Sequence, residues 1–487
     1  MEHIAMPAIN FAAIMPEVIL SVVAMALLLV NVFVPSKDKG YLGWLSIIGI
    51  AVTCASAVSG WDAPLELQKA FNGAVLQDNF AIFFKVIFLV SAALAILISD
   101  KYMAQENCNQ GELYPLMLFA TIGMMLMASG TDMMVLFLGL ELLSVCLYVL
   151  AGFNRANTKS NEAGLKYFLL GAFSTGFLLY GMALTYGATG STKLQAIKVA
   201  ALTNPAVASN PLFVVGMLLI AVGFSFKIAA APFHMWTPDV YEGAPTPMTA
   251  FMSAGPKAAG FAAFLRVAIF AFPMLQANAT EMLWVLAVLT MTVGNIIALS
   301  QDNIKRMLAY SSIAHAGYAL VGFTAWNAEG VAGILFYMLS YAFMNIGAFA
   351  VIILIGKKGE KNCNVSDYAG LAYKKPVLAA VFTVFLFSLA GMPPTAGFIG
   401  KFYLFSAAIK SGYTGLAIIG VLNSAASVYY YLRVMVFMYM KDPTEEFDWA
   451  GATPSIALCL FVTVIATLVM GVVPGTILEL ATKAVQF

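Results

Sequence analysis

The stretch 223–247, GFSFKIAAAPFHMWTPDVYEGAPTP, is the strongest constraint on the fold, because it sets a lysine, a histidine and several prolines inside an apolar region. A long apolar run crosses a bilayer as a plain helix, but one carrying Lys227, Pro232 and His234 in succession cannot stay plain. Proline removes a backbone donor and clashes with the preceding turn, so the helix is expected to bend or break near Ala231 and Pro232. Irregular backbone at membrane depth survives only where protein or water surrounds it. The segment is therefore expected to line a polar path inside a helix bundle.

The membrane setting follows from composition. Of 487 residues, 61% are hydrophobic and 10% charged, against about 25% charged in soluble domains. Long, nearly unbroken apolar runs such as 18–34 argue for helices, since barrel strands would alternate. At about 20 residues per crossing, the chain has room for about fourteen spans and no soluble domain. The net charge of +1 points to no nucleic acid or acidic partner. Five cysteines (54, 108, 146, 363, 459) form no CxxC pair, which disfavours an iron–sulfur or zinc site and a disulfide framework. Glu2 and His3 precede the first apolar run without a basic region, so that run reads as a retained helix.

Spans are predicted at 14–34, 41–60, 79–99, 113–130, 132–153, 162–188, 211–236, 247–272, 282–300, 304–324, 330–355, 376–410 with an interruption, 414–440 and 454–474. One alternate set of loops holds Lys37, Lys39, Lys101, Arg155, Lys159, Lys305, Arg306, Lys357, Lys358, Lys361, Lys374, Lys375 and Lys441. The other holds Lys69, Lys193, Lys198 and Lys483, with Lys410 at a span end. The positive-inside rule puts the first set in the cytoplasm and both termini outside.

A second interruption, LAGMPPTAGFIGK from Leu389 to Lys401, lies five spans after the first, so the two cross in opposite directions. Matched broken spans in two halves are the signature of inverted repeats. The chain divides accordingly into three leading helices (1–110), a first five-helix unit (111–272), a second, inverted unit (280–440) and a closing helix (441–487).

The ionisable groups at least a turn inside a span are Lys85, Glu141, Lys166, Lys227, Lys257, Arg266, His315, Lys401 and Arg433. A charge at the bilayer centre costs about 2.5–3.5 kcal/mol, so such residues normally face a bundle interior and serve a pathway. Burial disfavours the charged form of either group and an opposite charge favours it, so a Glu–Lys pair that forms and parts can switch a proton. Lysines spread over several spans suit a relay along the membrane better than a single pocket.

Each residue also has a plain structural reading. Lys85 near a span start can snorkel to the interface, and Lys85→Met is expected to leave function intact. Arg433 and Arg266 can be interface anchors. Lys166 sits one turn inside its span, His315 can be a packing histidine, and His234 beside Trp236 and Pro238 suits either role. Glu141, Lys227, Lys257 and Lys401 lie too deep to snorkel. The chain has no GxGxxG after a strand, Walker motif or cysteine cluster, which argues against NADH binding or electron transfer by the chain itself.

FKIAAAPFHMWTPDVYEGAP, SQDNIKRMLAYSSIAHAGY and LAGMPPTAGFIGKFYLF resemble the signature regions of the antiporter-like membrane subunits of respiratory complex I, the bacterial NADH:quinone oxidoreductase, most closely the N type, over about residues 75–440. The resemblance implies an all-α, fourteen-helix subunit of the bacterial inner membrane that translocates protons, driven by quinone reduction elsewhere. It implies that NADH, FMN, iron–sulfur clusters and quinone sit in partner subunits and that neighbours include M-, K- and J-type subunits. On the same basis, Glu141 pairs with Lys227, Lys166 lies near Glu141, Lys257 and His315 continue the relay, and Lys401 lies nearest the outlet. The M type has glutamate in place of Lys401, and the L type carries a long lateral helix; Lys85 matches no family role. A subunit of a multisubunit sodium/proton antiporter is the main alternative. A quinone-binding enzyme in its own right is a third reading, which lacks a redox site.

Overall fold

A computed structural model describes residues 10–34, 39–272, 276–361, 363–443 and 452–485; Lys37 lies outside them. The principal helices are α1 (Met15–Phe33), α2 (Gly40–Val58), α3 (Asn79–Gln105), α4 (Leu113–Ser129), α5 (Met133–Ala151), α6 (Thr158–Thr189), α7 (Pro211–Lys227), α8 (Trp236–Gly243) and α9 (Thr246–Ala271). They continue as α10 (Gln276–Leu299), α11 (Ile304–Thr324), α12 (Ala328–Ile355), α13 (Pro376–Ala390), α14 (Ala396–Lys410), α15 (Thr414–Met440), α16 (Pro454–Val472) and α17 (Gly475–Ala484). Ten helices among the described residues are long and apolar enough to cross a membrane; α4, α7 and α13 are shorter apolar helices. A two-stranded hairpin, Lys69–Ala70 with Val75–Leu76, and the amphipathic α17 are elements the apolar runs do not announce.

Local sequence sets the helix starts. The side chains of Asp78, Asn157, Asn303 and Asn327 accept the first free amides of α3, α6, α11 and α12, and prolines open α7, α13 and α16. Helix pairs close on small residues. A Cβ on Gly123 would lie 2.6 Å from the Gly139 carbonyl, and one on Gly181 2.7 Å from that of Gly216, so α4–α5 and α6–α7 approach to backbone contact.

Burial identifies the centre. The apolar windows of α9 and α12 are 89% and 94% buried and that of α3 83%, against 33% for α6 and α15, so α3, α9 and α12 lie at the centre while α6 and α15 present much of their surface outward. Polar groups lie deep on these helices and on α11 alike: Lys85, Lys257, His315 and Asn345 are at most 2% exposed.

The loops sort to two ends. At one, Gln105 and Glu106 hold the 356–361 turn, Lys159 meets Glu242, Arg306 meets Asp239, and Arg433 meets Asp302. At the other, Lys193 pairs with Asp132 and Asn72, and Lys410 with Glu329. Lys159, Arg306 and the 356–361 turn thus belong to one end, and Lys193 and Lys410 to the other.

Both interrupted spans are broken, though not quite where expected. The first helix stops at Lys227, several residues before Pro232. Proline leaves the carbonyl four residues back without its helical donor, and Ala229 turns left-handed at φ 60°. The second breaks at Gly391, φ 85°, and resumes at Ala396.

Candidate functional site

Lys227, Lys257, His315 and Lys401 are all at most 6% exposed. Lys227 is the last residue of α7, so its ammonium meets the bundle where the helix has just ended. It donates to Ser144 Oγ at 2.9 Å. Glu141 lies one turn earlier on α5 than Ser144, the residue that Lys227 meets. Its buried Oε1 has no hydrogen-bond partner among the described residues. A small cavity of about 10 Å3, bounded by Ser144, Tyr148, Ser174 and Lys227, is close to the size of one water. The break itself is fixed by Trp236, which stacks on Tyr167 at 4.5 Å and donates to the Phe226 carbonyl, and by Thr290 of α10, which accepts the Ala231 amide.

Lys257 follows Pro256 inside α9. The proline leaves the Met252 carbonyl without a helical donor, and Tyr241 OH bonds it at 3.2 Å. Lys257 reaches across to α11 and donates to the Ser312 carbonyl, at 2.5 Å, and to its hydroxyl. The neighbouring Ser311 bonds Tyr431 OH, which also lies 3.2 Å from His315 Nε2. His315 Nδ1 meets Tyr337 OH. Side-chain and backbone oxygens thus join Lys257 on α9 to the His315 region of α11.

Lys401 lies inside α14, beyond its break, and folds back to the open end of α13. Its ammonium donates at 3.0 Å to the carbonyls of Leu389 and Ala390 and at 2.9 Å to Ser424 Oγ, 4.6 Å from the Tyr318 ring centre. A helix C-terminus has unsatisfied carbonyls and partial negative charge, so a cation there is held without a carboxylate. The two lysines therefore relate to their breaks differently: Lys227 ends a half-helix, whereas Lys401 caps one.

Lys166 is not brought to Glu141 by hydrogen bonding. It pairs with Glu162 (2.7 Å) and Asp239 (2.8 Å), since residue 162 precedes it by one turn and α8 crosses above. Arg306 joins Asp239 and Glu242, and Lys159 joins Glu242, around a polar cavity of about 170 Å3. Burial alone would raise the Asp239 carboxyl, but hydrogen bonds from Lys166 and Arg306 hold it below the ordinary carboxylate value.

The family described as NADH:quinone oxidoreductase/Mrp antiporter, transmembrane, matches residues 130–427, and a protein of Trichlorobacter lovleyi named NADH-quinone oxidoreductase subunit N is 67% identical over 98% of this chain and 97% of its own. The chain belongs to this family. A subunit N of Rhodospirillum rubrum is 42% identical over 97% of the chain and 96% of its own length. Among solved structures, a chain of respiratory complex I from Thermus thermophilus is 36% identical with a TM-score of 0.81, covering 96% of this chain and 99% of its own. A chain of the Mrp complex from Dietzia shares the fold at a TM-score of 0.82, 19% identity and coverage of 98% and 97%.

Within this membrane subunit, three charged groups do not behave as their sequence positions suggest. Lys85 does not snorkel: it is fully buried, 2.7 Å from Glu17 and hydrogen-bonded to Gln77. Glu17 is only three residues into its predicted span, which hid a buried acid at the start of α1. Arg266 is no interface anchor either; it is buried, forks onto both oxygens of Asp78 and donates to the Ala128 carbonyl. Lys305, read from sequence as a loop charge, is buried against Glu360, which also accepts from Tyr102 and Thr246. Arg433 bonds Asp302 and the Gln301 carbonyl at the end of α15, an end-anchoring position. Of the hydroxyls around Lys257 and His315, those of Ser311, Ser312 and Tyr337 sit in helices buried on almost every face, whereas Tyr431 comes from the largely outward-facing α15, and none has a sequence motif of its own.

Proposed function

We propose that the chain is the N-type, proton-translocating membrane subunit of a bacterial NADH:quinone oxidoreductase. Its fourteen spans form two inverted five-helix units, 111–272 and 280–440, flanked by 1–110 and 441–487. Both termini lie on the periplasmic side, M-, K- and J-type subunits adjoin it, and NADH, FMN, iron–sulfur clusters and quinone are held by partners.

The observation that carries the proton role is the line of buried cations, each on neutral oxygen acceptors: Lys227 on Ser144, Lys257 on Ser312, Lys401 on Ser424 and the α13 carbonyls. A lysine held by neutral groups keeps its charge less firmly than one locked to a carboxylate, so a shift of a nearby charge can release or restore its proton. In this reading Glu141 gates Lys227, Lys166 and Asp239 guard the charged end, and Lys257 and His315 pass the proton toward Lys401. The serine and tyrosine hydroxyls between them accept and donate in turn.

A sodium/proton antiporter subunit is the second reading, favoured by the breadth of the family description. The 67% relative favours the first. The deciding experiment is proton pumping by the intact complex in vesicles carrying Glu141→Ala, Lys227→Ala or Lys401→Ala. Reduced pumping and coupled quinone reduction with normal assembly is expected; normal pumping in all three would overturn the relay, and sodium-dependent transport would favour the antiporter.

A further inference from the structure

A cleft of about 610 Å3 runs along the outside of the bundle between α13 and α16, and no relay residue lines it. Its walls are Val377 and Val381 on one side and Leu460, Phe461, Val464 and Ile465 on the other. Val377 is 77% and Phe461 65% exposed, so this apolar face is open. Polarity enters at one end only, where Lys374 and Lys375 also line the cleft.

That end is the one to which Lys159, Arg306 and the 356–361 turn belong, since Leu354, just before that turn, lies at the same mouth. Both α13 and α16 begin there, at Pro376 and Pro454, and helix N-termini present free amides and partial positive charge. From Ala457 to Ile465 the cleft follows α16 for about 12 Å at 1.5 Å per residue. That is most of one leaflet of a hydrocarbon core about 30 Å thick. A basic mouth at headgroup level over an apolar slot of leaflet depth matches an anionic lipid in both charge and length.

The geometry points to a binding site for an anionic diacyl phospholipid, with its phosphate at Lys374 and Lys375 and one acyl chain in the cleft. The site is independent of the relay, and its occupancy does not depend on how protons move.

The test is photolabelling of the intact complex in nanodiscs of phosphatidylcholine that contain a minor fraction of lipid with a diazirine on one acyl chain. Phosphatidylglycerol and phosphatidylcholine probes are compared. Adducts are mapped by mass spectrometry to Val377 and Val381 and to 460–465, with exposed Phe173 on α6 as the reference. Labelling of the cleft by the phosphatidylglycerol probe is expected to exceed that by phosphatidylcholine by about fivefold per lysine, the factor for about 1 kcal/mol each. In the Lys374→Gln/Lys375→Gln variant the excess disappears while labelling at Phe173 stays. Val377→Trp, which fills the cleft, lowers adducts at 460–465 from both probes. Equal labelling by the two probes would reduce the cleft to ordinary lipid-facing surface and overturn the proposal. So would absence of lipid adducts together with cross-links to another polypeptide, since a neighbouring subunit would then occupy it.

Discussion

The ammonium of Lys227 donates to the hydroxyl of Ser144 at 2.9 Å, one turn along α5 from Glu141, whose Oε1 is buried with no hydrogen-bond partner among the described residues. In the proposed relay, the serine holds the lysine where the Glu141 carboxylate would otherwise take it. A hydrogen bond to a charged group contributes about 1.5–3 kcal/mol, enough to set which partner the lysine prefers. Ser144→Ala is therefore expected to lower pumping about tenfold, while Ser144→Thr, which keeps the hydroxyl, retains most of it. Pumping in vesicles at matched expression measures both; an unchanged Ser144→Ala would remove the serine from the switch.

Lys85 and Glu17 make a separate prediction. Removing one partner of a buried ion pair costs about 3–5 kcal/mol, whereas removing both together costs far less. Lys85→Met should therefore reduce the yield and thermal stability of the complex, and Glu17→Gln/Lys85→Met should restore most of the loss. Stable assembly of the single variant would show that Glu17 needs no counter-charge.

Gly391 ends α13 with φ 85°, and a Cβ there would lie 3.0 Å from Lys401 Cδ and 3.1 Å from its Nζ. Gly412 has φ 87° and nothing within 4 Å of an added Cβ. An L side chain in this conformation costs about 1–2 kcal/mol at either site. Gly391→Ala should in addition displace Lys401 from the Leu389 and Ala390 carbonyls and depress pumping. Melting curves are expected to fall similarly for the two alanine variants, and proton uptake only for Gly391→Ala.

Cys108 and Cys363 lie in connections outside the spans, and burial pushes both thiols up to about 11. The thiolate is the reactive form, so at pH 7 about one thiol in ten thousand is competent. Maleimide labelling of the native complex should be slow at pH 7 and rise about tenfold per pH unit toward pH 11. Mass spectrometry of tryptic peptides measures it; rapid labelling at neutral pH would mean that these sites are open.

What the sequence made legible follows from which forces are local. Hydrophobic length and proline act within a turn or two, so helices and both breaks could be read from residues 223–247 and 389–401. The backbone inside the first break is held in part by Thr290, 59 positions from the Ala231 amide it accepts, and no local pattern reports that. Lys166 sits within one turn of Glu162, yet α8 decides its other partner. Lys85 looked like an interface residue because Glu17 lies 68 positions earlier in the chain. Lys305 looked like a loop charge because Glu360, its counter-ion, belongs to a turn with no motif of its own.

That turn has a consequence for how the protein is made. Glu360 receives Lys305 from α11, Tyr102 from α3 and Thr246 from the start of α9, with its own backbone at φ 52°. A nascent chain that has not yet reached residue 360 holds the Lys305 ammonium without its counter-ion and leaves Tyr102 and Thr246 without this acceptor. The first nine helices are therefore long since synthesised, yet this junction among α3, α9 and α11 can close only after α12 has emerged. Synthesis order and assembly order part company at a single carboxylate.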